Sequence, residues 1–394
     1  MSHKTLFLFT NSFPYGKGES FLENELPYLA KTFKDVIIIP TNKYSSLIEK
    51  RNIKETNVSI MPYLFCSNKF YFILGLLKVH YKSFLFFVKI IFNYNLFSSS
   101  QIKPALIAYS IINNILYSSS FKNFKSIVKT EDVIYFYWGA GAVYILPFIK
   151  DIQSRKIVRL HGSDLYFAPV FHNKILESAD KLVFISEHGR SYYDGKYGKS
   201  TKHIVSRLGT IYHGTAKRST DKIFRIISCS FVTQNKNLQL LYHALQLIDD
   251  KQIEWIHIGD GSEFEELKLL AGKSKSNIKI SLLGYINNEN ILNYYKSNPI
   301  DVFINVSFSE GIPVSIMEAI SFNIPVIAPD VGGVSEIVND NTGILMSSIP
   351  AKEEVANAIN SMISENEKYK PHEFWRKHYD AESNYSIFGK KISE

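Results

Sequence analysis

Short apolar runs alternate with longer segments along the first half of the chain. The runs suit strands that are covered on both faces, and they lie at 5–9, 36–40, 133–137, 157–160 and 182–185. Apolar positions at helical spacing between some of them predict helices at 21–32 and 173–179. This alternation of strands and helices indicates a parallel sheet.

The second half repeats the pattern. It predicts strands at 225–229, 254–258, 278–283, 302–305 and 325–328, and helices at 238–248, 262–270, 291–296 and 314–321. The polar segment 209–222 separates the halves, so we expect domains at 1–215 and 216–372, with a helix at 373–394 that packs back on the first domain. Two such α/β domains place a cleft at the carboxyl ends of their strands, where ligands bind in doubly wound folds.

Composition narrows the class of protein. The 394 residues are 45% hydrophobic and 14% aromatic, which excludes a disordered chain. The two cysteines, Cys66 and Cys229, exclude a disulfide scaffold and a cysteine-based zinc site and fit a reducing cytosol. The net charge of +8 is uneven: residues 1–215 carry +13 and residues 216–394 carry −5, with +10 in 40–130 alone. A basic first half indicates an anionic partner for that half.

The segment 309–338 carries the strongest chemical pattern: a loop and helix after one predicted strand, a second strand, then a glycine-rich turn. Gly311 allows a ligand close to the backbone, and Pro313 suits the first helical turn. The start of the helix therefore offers free N–H groups and a positive dipole end to a phosphate. These N–H groups are expected on Ile312, Val314 and Ser315.

Two carboxylates bracket this expected phosphate site. Glu310 precedes the helix, and Glu318 lies five residues beyond Pro313, about 7–8 Å along the helix axis. Acceptors on both sides of a phosphate suit a ligand with hydroxyl groups on both sides. The pattern thus predicts a nucleotide-sugar site.

The spacing of Glu310 and Glu318 resembles the signature of retaining glycosyltransferases of family 4, which have the GT-B fold of two Rossmann-like domains. The segments 226–245, 258–270 and 282–286 extend the similarity. In the first half, 11–30, 159–167 and 178–189 resemble the acceptor domain of bacterial capsule, O-antigen and exopolysaccharide enzymes. Most of the chain is covered, apart from 41–130.

The resemblance implies a role for each matching residue of the second half. Glu310 would bond hydroxyls of the donor sugar, Glu318 would accept from the ribose, and Lys236 would neutralise the diphosphate. The backbone at Gly284 and Tyr285 would meet the base. The chain departs from the family at Phe231, where Arg or Asn is usual, and Arg207 is the candidate substitute.

In the first half, His161 follows a predicted strand, and the family places a histidine here close to the reacting sugar. We expect His161 to contact the donor sugar and orient the acceptor. Asp164 either positions that imidazole or the acceptor hydroxyl, or caps the next segment. Gly16 and Gly18 lie in the loop after the first strand, which is expected near the donor or forms a hairpin-like turn; Glu19 reads as a charge in a first helical turn.

No two aspartates are two residues apart, and a Gly-rich phosphate loop with Lys-Ser/Thr is absent from the sequence, so we expect chemistry without a metal or other cofactor. The resemblance then implies a retaining hexosyl- or related transferase, with a nucleotide diphosphate sugar as donor and a glycan or lipid-linked oligosaccharide as acceptor. Another GT-B enzyme, such as an epimerase, and a non-catalytic membrane-associated nucleotide-sugar-binding subunit are the alternatives.

The window 70–97 is aromatic and basic. Lys78, Lys82 and Lys89 recur at helical spacing, which predicts a cationic amphipathic helix on an anionic membrane surface; a buried helical hairpin with lysines at its edge is the alternative. Charges interrupt every apolar run before it reaches the length of a membrane span. We expect a cytoplasmic protein, peripheral on the inner membrane, and no nucleic-acid partner, because no nucleic-acid motif accompanies the charge.

Overall fold

The computed structural model describes residues 2–16, 18–19, 21–43, 50–66, 68–94 and 99–394, and their contacts divide the chain into two units. The first unit consists of Met1–Ile185, Gly189–Ser206 and Tyr385–Glu394, and the second of Ser186–His188 and Arg207–Asn384. The chain therefore leaves the first unit for the second and returns to it for residues 385–394.

The first unit is built on a sheet of seven strands in which every strand pair is parallel. The strands of this sheet are β1 (Thr5–Thr10), β2 (Asp35–Pro40), β4 (Val58–Ile60), β6 (Val133–Phe136), β7 (Arg155–Leu160), β8 (Lys181–Phe184) and β9 (His203–Val205). Strands β3 (Asn42–Lys43) and β5 (Phe65–Cys66) form a separate parallel pair. The order β4-β2-β1-β6-β7-β8-β9 reverses direction between β1 and β6. This point of reversal is where ligand crevices form in doubly wound sheets.

Both faces of this sheet are buried, as the apolar runs predict. Along β1, Phe7 and Phe9 belong to the core on one face and Leu6 and Leu8 to the core on the other. The helices of this unit are α1 (Leu22–Thr32), α2 (Lys69–Leu77), α3 (Tyr81–Tyr94), α4 (Ser99–Tyr117), α5 (Ser119–Ile127), α6 (Gly162–Tyr166), α7 (His172–Leu176) and most of α8 (Glu187–Tyr197), with a 3₁₀ segment at Gly141–Phe148.

An ion pair lies inside the first unit. Arg159 Nη2 is 3.3 Å from Glu25 Oε1, and both side chains are fully buried. Tyr135 donates to the same oxygen at 3.1 Å, and the guanidinium lies 4.5 Å from the ring centre of Phe388. Burial raises the pKa of Glu25, and the charge of Arg159 opposes that rise. The pair ties helix α1 to strand β7 and places a residue of 385–394 over the cation.

The second unit is built on six parallel strands in the order β12-β11-β10-β13-β14-β15, which reverses between β10 and β13. The strands are β10 (Ile223–Cys229), β11 (Gln252–Ile258), β12 (Ile278–Leu282), β13 (Val302–Ile304), β14 (Val326–Pro329) and β15 (Gly343–Met346). The helices are α9 (Leu238–Leu245), α10 (Phe264–Ala271), α11 (Asn288–Ser297), α12 (Val314–Ser321), α13 (Lys352–Glu365), α14 (Pro371–His378) and the start of α15 (Ala381–Ser393), which continues into the first unit. Two Rossmann-like parallel-sheet units are what the sequence pattern predicts.

The window 70–97 forms two helices, so the prediction of one helix with Lys78, Lys82 and Lys89 on a single face is wrong; residues 95–97 lie outside the described residues. Lys78 ends α2, whereas Lys82 and Lys89 lie on α3. Asn113 of α4 donates to the carbonyl of Gly75 at 3.0 Å. That bond satisfies one of the carbonyl groups that have no helical N–H partner at the end of α2.

Within the described residues, no single helix is long and apolar enough to cross a membrane. Helices α2 and α3, bent by 94° relative to each other, reach the required length and apolar composition only together.

We expect Glu25→Ala to lower the free energy of unfolding by about 3–5 kcal/mol, because it leaves the guanidinium of Arg159 buried without its partner. Urea denaturation followed by circular dichroism measures the change. Glu23→Ala is the matched control on the same helix: Glu23 is half-exposed and pairs with Arg51, so its loss should cost less than about 1 kcal/mol. Equal small losses in both variants would contradict a stabilising role for the buried pair.

Candidate functional site

Two loops meet where the strand order of the second unit reverses. One follows β10 and contains the 3₁₀ turn Gln234–Lys236, and the other follows β13 and leads to α12. The backbone N–H of Phe308 donates to the carbonyl of Asn235 at 2.8 Å, and Asn235 Nδ2 donates to the carbonyl of Ser309 at 3.0 Å. These bonds fix the loops to each other at the carboxyl edge of the sheet.

Glu310 and Lys236 form an ion pair across these two loops. Lys236 Nζ lies 2.5 Å from Glu310 Oε1, and Asn305 Nδ2 donates to the same oxygen at 3.1 Å. The side chain of Glu310 is 9% exposed and that of Lys236 is 21% exposed. Sequence reasoning predicted both residues at the donor site but missed Asn305, although a polar residue directly after a buried strand is a usable signal.

The turn at Gly332 and Gly333 packs against the backbone of the loop that carries Glu310. Gly332 has φ +58°, and a Cβ there would lie 1.8 Å from the carbonyl oxygen of Glu310. The N–H of Gly333 donates to the carbonyl of Gly311 at 2.7 Å. Residues with side chains would displace the loop, so the two glycines allow the backbone at Glu310 and Gly311 to pack against this turn.

Helix α12 begins where the sequence predicts it. Pro313 is its N-cap residue, with an extended backbone and no capping side chain, and the helix starts at Val314. Within the described part of the chain, no acceptor bonds the N–H groups of Gly311, Ile312, Val314 or Ser315. The positive end of this helix therefore lies beside Glu310 with unpaired donors, which suits an anion.

Glu318 lies on the same helix and is buried. Asn288 Nδ2 donates to Glu318 Oε1 at 2.7 Å, and burial raises the pKa of this carboxyl to about 7. A carboxyl with this pKa changes its charge near neutral pH, so its ability to accept from hydroxyl groups depends on pH in that range. The contact from Asn288 was not predicted from the sequence.

The sequence also singled out Phe231, Gly284, Tyr285 and Arg207, all in the second unit. Gly284 has φ +68°, and its carbonyl accepts from the N–H of Gly259 at 2.9 Å. Tyr285 is 48% exposed and lines a groove of about 670 Å³. Phe231 is 70% exposed on the loop after β10. Arg207 pairs with Glu336 at 3.0 Å, so its guanidinium is engaged by a carboxylate of its own unit.

In the first unit, His161 lies at the carboxyl end of β7 and is 7% exposed. Its ring centre lies 4.3 Å from that of Trp138, 5.2 Å from that of Tyr137 and 5.6 Å from that of Phe21. Burial, with the nearby charge of Arg159, lowers the pKa of His161 to about 3. The imidazole is thus neutral at physiological pH, and its Nε2 has no hydrogen-bond partner among the described residues.

Asp164 is buried three residues after His161 and caps α6. Its Oδ2 accepts from the backbone N–H of His161 at 3.0 Å, and the backbone of Gly139 also bonds it. Burial raises the pKa of Asp164 to about 7. The structure therefore shows the capping alternative among the roles that the sequence left open.

The loop after β1 is organised by Glu19, not by its glycines. Gly16 has φ +77°, and nothing lies within 4 Å of a Cβ placed at Gly18. Helix α1 begins at Leu22, so the expectation of Glu19 as a first-turn helix charge is wrong. Its buried carboxylate instead accepts from the backbone N–H groups of Asn11, Ser12 and Phe13.

Within the described residues, no group of three His, Cys, Asp or Glu side chains is arranged to hold a metal ion. Metal-independent chemistry stays a prediction.

Comparison with known proteins shows what this chain is similar to. Residues 215–374 match the family described as "Glycosyl transferases group 1". The chain is 24% identical over 262 residues to an uncharacterized glycosyltransferase of Methanocaldococcus jannaschii, covering 63% of this chain and 71% of that protein. It is 23% identical over 226 residues to the amylovoran biosynthesis glycosyltransferase AmsK of Erwinia amylovora, covering 53% of this chain and 55% of AmsK. The matched part is thus about half the length of AmsK.

Among solved structures, HepE of Anabaena in complex with UDP-glucose superimposes with a TM-score of 0.66 at 15% identity, covering 99% of this chain and 100% of that one. At this identity the similarity concerns the fold. Residues 215–374 are therefore similar to the Glycosyl transferases group 1 family, and the chain has the GT-B fold; together these findings support a GT-B glycosyltransferase.

Proposed function

We propose that this protein is a retaining glycosyltransferase of family 4 that moves a sugar from a nucleotide diphosphate sugar to a glycan in cell-surface polysaccharide synthesis. The observation that carries the proposal is the Lys236–Glu310 pair at the reversal point of the second sheet, beside N–H groups at the start of α12 that no described residue accepts from. Two relatives support it: AmsK is named for amylovoran biosynthesis, and HepE binds UDP-glucose.

In this proposal the donor diphosphate binds Lys236 and the start of α12, since cations and free N–H groups both favour phosphate. Arriving phosphate oxygens compete with Glu310 for the ammonium group, because the pair is already formed at 2.5 Å. The released carboxylate of Glu310 then accepts from hydroxyls of the sugar. Glu318 accepts from the ribose, and the base lies against Gly284 and Tyr285. Arg207 supplies a second cation to the diphosphate after parting from Glu336.

The proposed reaction breaks the bond between the anomeric carbon and the diphosphate oxygen. The acceptor oxygen forms its new bond on the same face of the sugar, and its proton passes to the departing phosphate oxygen. Lys236 and the N–H groups of α12 stabilise the charge that develops on the diphosphate. No metal enters this scheme. In the first unit, His161 is neutral and its Nε2 has no partner among the residues that the structure describes, so it offers one hydrogen-bonding atom to the sugar or acceptor.

We further propose a lipid-linked acceptor and attachment to the cytoplasmic face of the inner membrane through α2 and α3, here called the apolar hairpin (Lys69–Tyr94). Nine of its apolar or aromatic side chains are exposed: Phe70, Phe72, Ile73, Leu77, Val79, Tyr81, Phe84, Leu85 and Phe92. Lys82 and Lys89 are exposed among them, and Lys78 is half-buried. Exposed apolar rings next to lysines suit the boundary between anionic headgroups and acyl chains.

A second candidate is a nucleotide-sugar-binding subunit without catalysis. Phe231 favours it, because an exposed aromatic ring stands on the β10 loop where the family usually has a residue that can donate to the diphosphate. Assays with a panel of nucleotide-sugars and glycan acceptors separate the candidates: transfer supports the first, binding without turnover the second, and conversion of the donor sugar alone an epimerase.

We expect Glu310→Gln to reduce sugar transfer about 100-fold while affinity for the nucleoside diphosphate alone stays the same or rises, because the lost carboxylate contacts only the sugar and competes for Lys236. Lys236→Met, in contrast, should weaken the binding of the nucleoside diphosphate about 10- to 100-fold. Transfer assays and calorimetry measure both. Glu265→Gln, on the exposed surface of α10, is the control. Wild-type transfer by the Glu310 variant would exclude its proposed role.

Affinity for UDP should fall as the pH drops through about 7, because protonation of Glu318 removes the charge that accepts from the ribose hydroxyls. Calorimetry between pH 5.5 and 8.5 measures the profile. In Glu318→Gln, affinity is lower at pH 8 and keeps only the pH dependence of the nucleotide itself. The same profile in both proteins would show that Glu318 does not contact the ribose.

We expect the protein to sediment with vesicles containing phosphatidylglycerol at low salt and to stay in the supernatant with neutral vesicles. Lys82→Glu with Lys89→Glu should weaken this binding at least ten-fold, since each lysine near an anionic surface contributes about 1 kcal/mol. Lys251→Glu with Lys273→Glu changes the net charge equally on the second unit and should have little effect. Equal loss in both double variants would mean that overall charge, and not the apolar hairpin, drives binding.

A further inference from the structure

Glu19 makes more hydrogen bonds than its position in a surface loop requires. It lies between β1 and α1, is 6% exposed, and has φ +59°, a conformation that few non-glycine residues adopt. Oε2 accepts from Ser12 N at 2.7 Å, Phe13 N at 2.7 Å and Ser12 Oγ at 3.1 Å. Oε1 accepts from Asn11 N at 2.9 Å and from the indole Nε1 of Trp138 at 2.6 Å.

Three successive N–H groups directed at one anion form a concavity of the kind that binds phosphate in other proteins. Here a carboxylate of the chain itself fills it. The loop after β1 is therefore held by an internal anion, and its N–H groups at Asn11, Ser12 and Phe13 are not available to a ligand in this state.

The fifth hydrogen bond leads away from this loop. Trp138 follows β6, and its ring centre lies 4.3 Å from that of His161, which follows β7. Strands β1, β6 and β7 are neighbours, so the carboxylate links the loops after β1 and β6, and the ring contact of Trp138 with His161 extends this link to the end of β7. The link from Glu19 to Trp138 crosses the point where the strand order of this sheet reverses.

We propose that Glu19 is a positioning residue for His161: it fixes the indole of Trp138, and the indole fixes the plane of the imidazole and shields it from water. The inference rests on the proposed function for the meaning of the His161 site, but the linkage itself is defined by the contacts above. A carboxylate with only a structural role would affect stability and leave the environment of His161 unchanged.

Glu19→Gln separates the two roles. The amide keeps one acceptor oxygen, and the three donors around Oε2 outnumber the two around Oε1. The oxygen therefore takes the Oε2 position, and the amide N–H₂ group faces the N–H of Asn11 and the indole N–H of Trp138, donor against donor. The loop bonds at Ser12 and Phe13 remain while the link to Trp138 is lost.

We expect Glu19→Gln to lower kcat for transfer at least ten-fold and to change the donor KM less than two-fold. The pKa of His161, measured by NMR and assigned by comparison with His161→Gln, should rise by one unit or more. Water that reaches the ring stabilises the imidazolium and screens the charge of Arg159. Trp138→Phe, which lacks the indole N–H, should reproduce both effects. The double variant should lose no more than either single variant, as expected for residues that act through one link.

Glu23→Gln is the matched control: this carboxylate, four residues further along, is half-exposed and pairs with Arg51, so kcat and the titration should stay as in the wild type. An unshifted titration in Glu19→Gln would overturn the proposal, whatever happens to kcat. If Glu19→Gln does not fold, the titration of Trp138→Phe decides instead.

The titration requires no substrate. If no nucleotide-sugar is turned over or bound, the proposed function fails, yet an upward shift in the pKa of His161 still supports the linkage. If transfer is observed and Glu19→Gln leaves the titration unchanged, the linkage fails and the proposed function stands.

Discussion

Parallel pairing constrains both units of this protein more than any single contact does. When all strands of a sheet run the same way, every loop that follows a strand emerges at one edge, and a reversal in strand order separates two of those loops to form a crevice. In each unit a glutamate bonds across that reversal: Glu19 reaches Trp138 in the first, and Glu310 reaches Lys236 in the second. The side chains of both candidate sites are gathered by this arrangement and by the short loops around it.

The sequence predicted the architecture well because its signals are local. Strands buried on both faces are continuous apolar runs, and the run at 5–9 became β1 almost unchanged. Strands with few apolar residues gave no such signal: β9 is three half-buried residues, and β4 has a serine at its centre. The break between α2 and α3 was not predicted either, because the aromatic and basic pattern of the window continues across residues 78–80, where the structure separates the two helices.

The residues of the candidate sites were predictable only where they are close together in sequence. Glu310, Gly311, Pro313 and Glu318 lie in one short segment with a regular pattern, so sequence analysis could place them at the start of helix α12 and on it. Glu19 was interpreted wrongly, as a first-turn helix charge, because its partner Trp138 is 119 residues away and becomes a neighbour only when β1 and β6 pair. The pKa of Glu318 was likewise unpredictable, since it depends on burial and not on adjacent residues. Charge is also uneven along the chain: residues 216–394 carry −5, whereas residues 1–215 carry +13, of which +10 lies in 40–130, the stretch that contains the apolar hairpin.

The return of the chain to the first unit has a consequence for biosynthesis. Domains usually fold in order as they leave the ribosome. Here the second unit is one nearly continuous stretch, but the first includes Tyr385–Glu394, where Phe388 lies over the buried guanidinium of Arg159. The contact between the Arg159 guanidinium and the ring of Phe388 therefore cannot form until the whole second unit has been synthesised. The unit that is made first is completed last, and a ribosome that stalls anywhere in the second unit releases a chain whose earlier half still exposes part of its core.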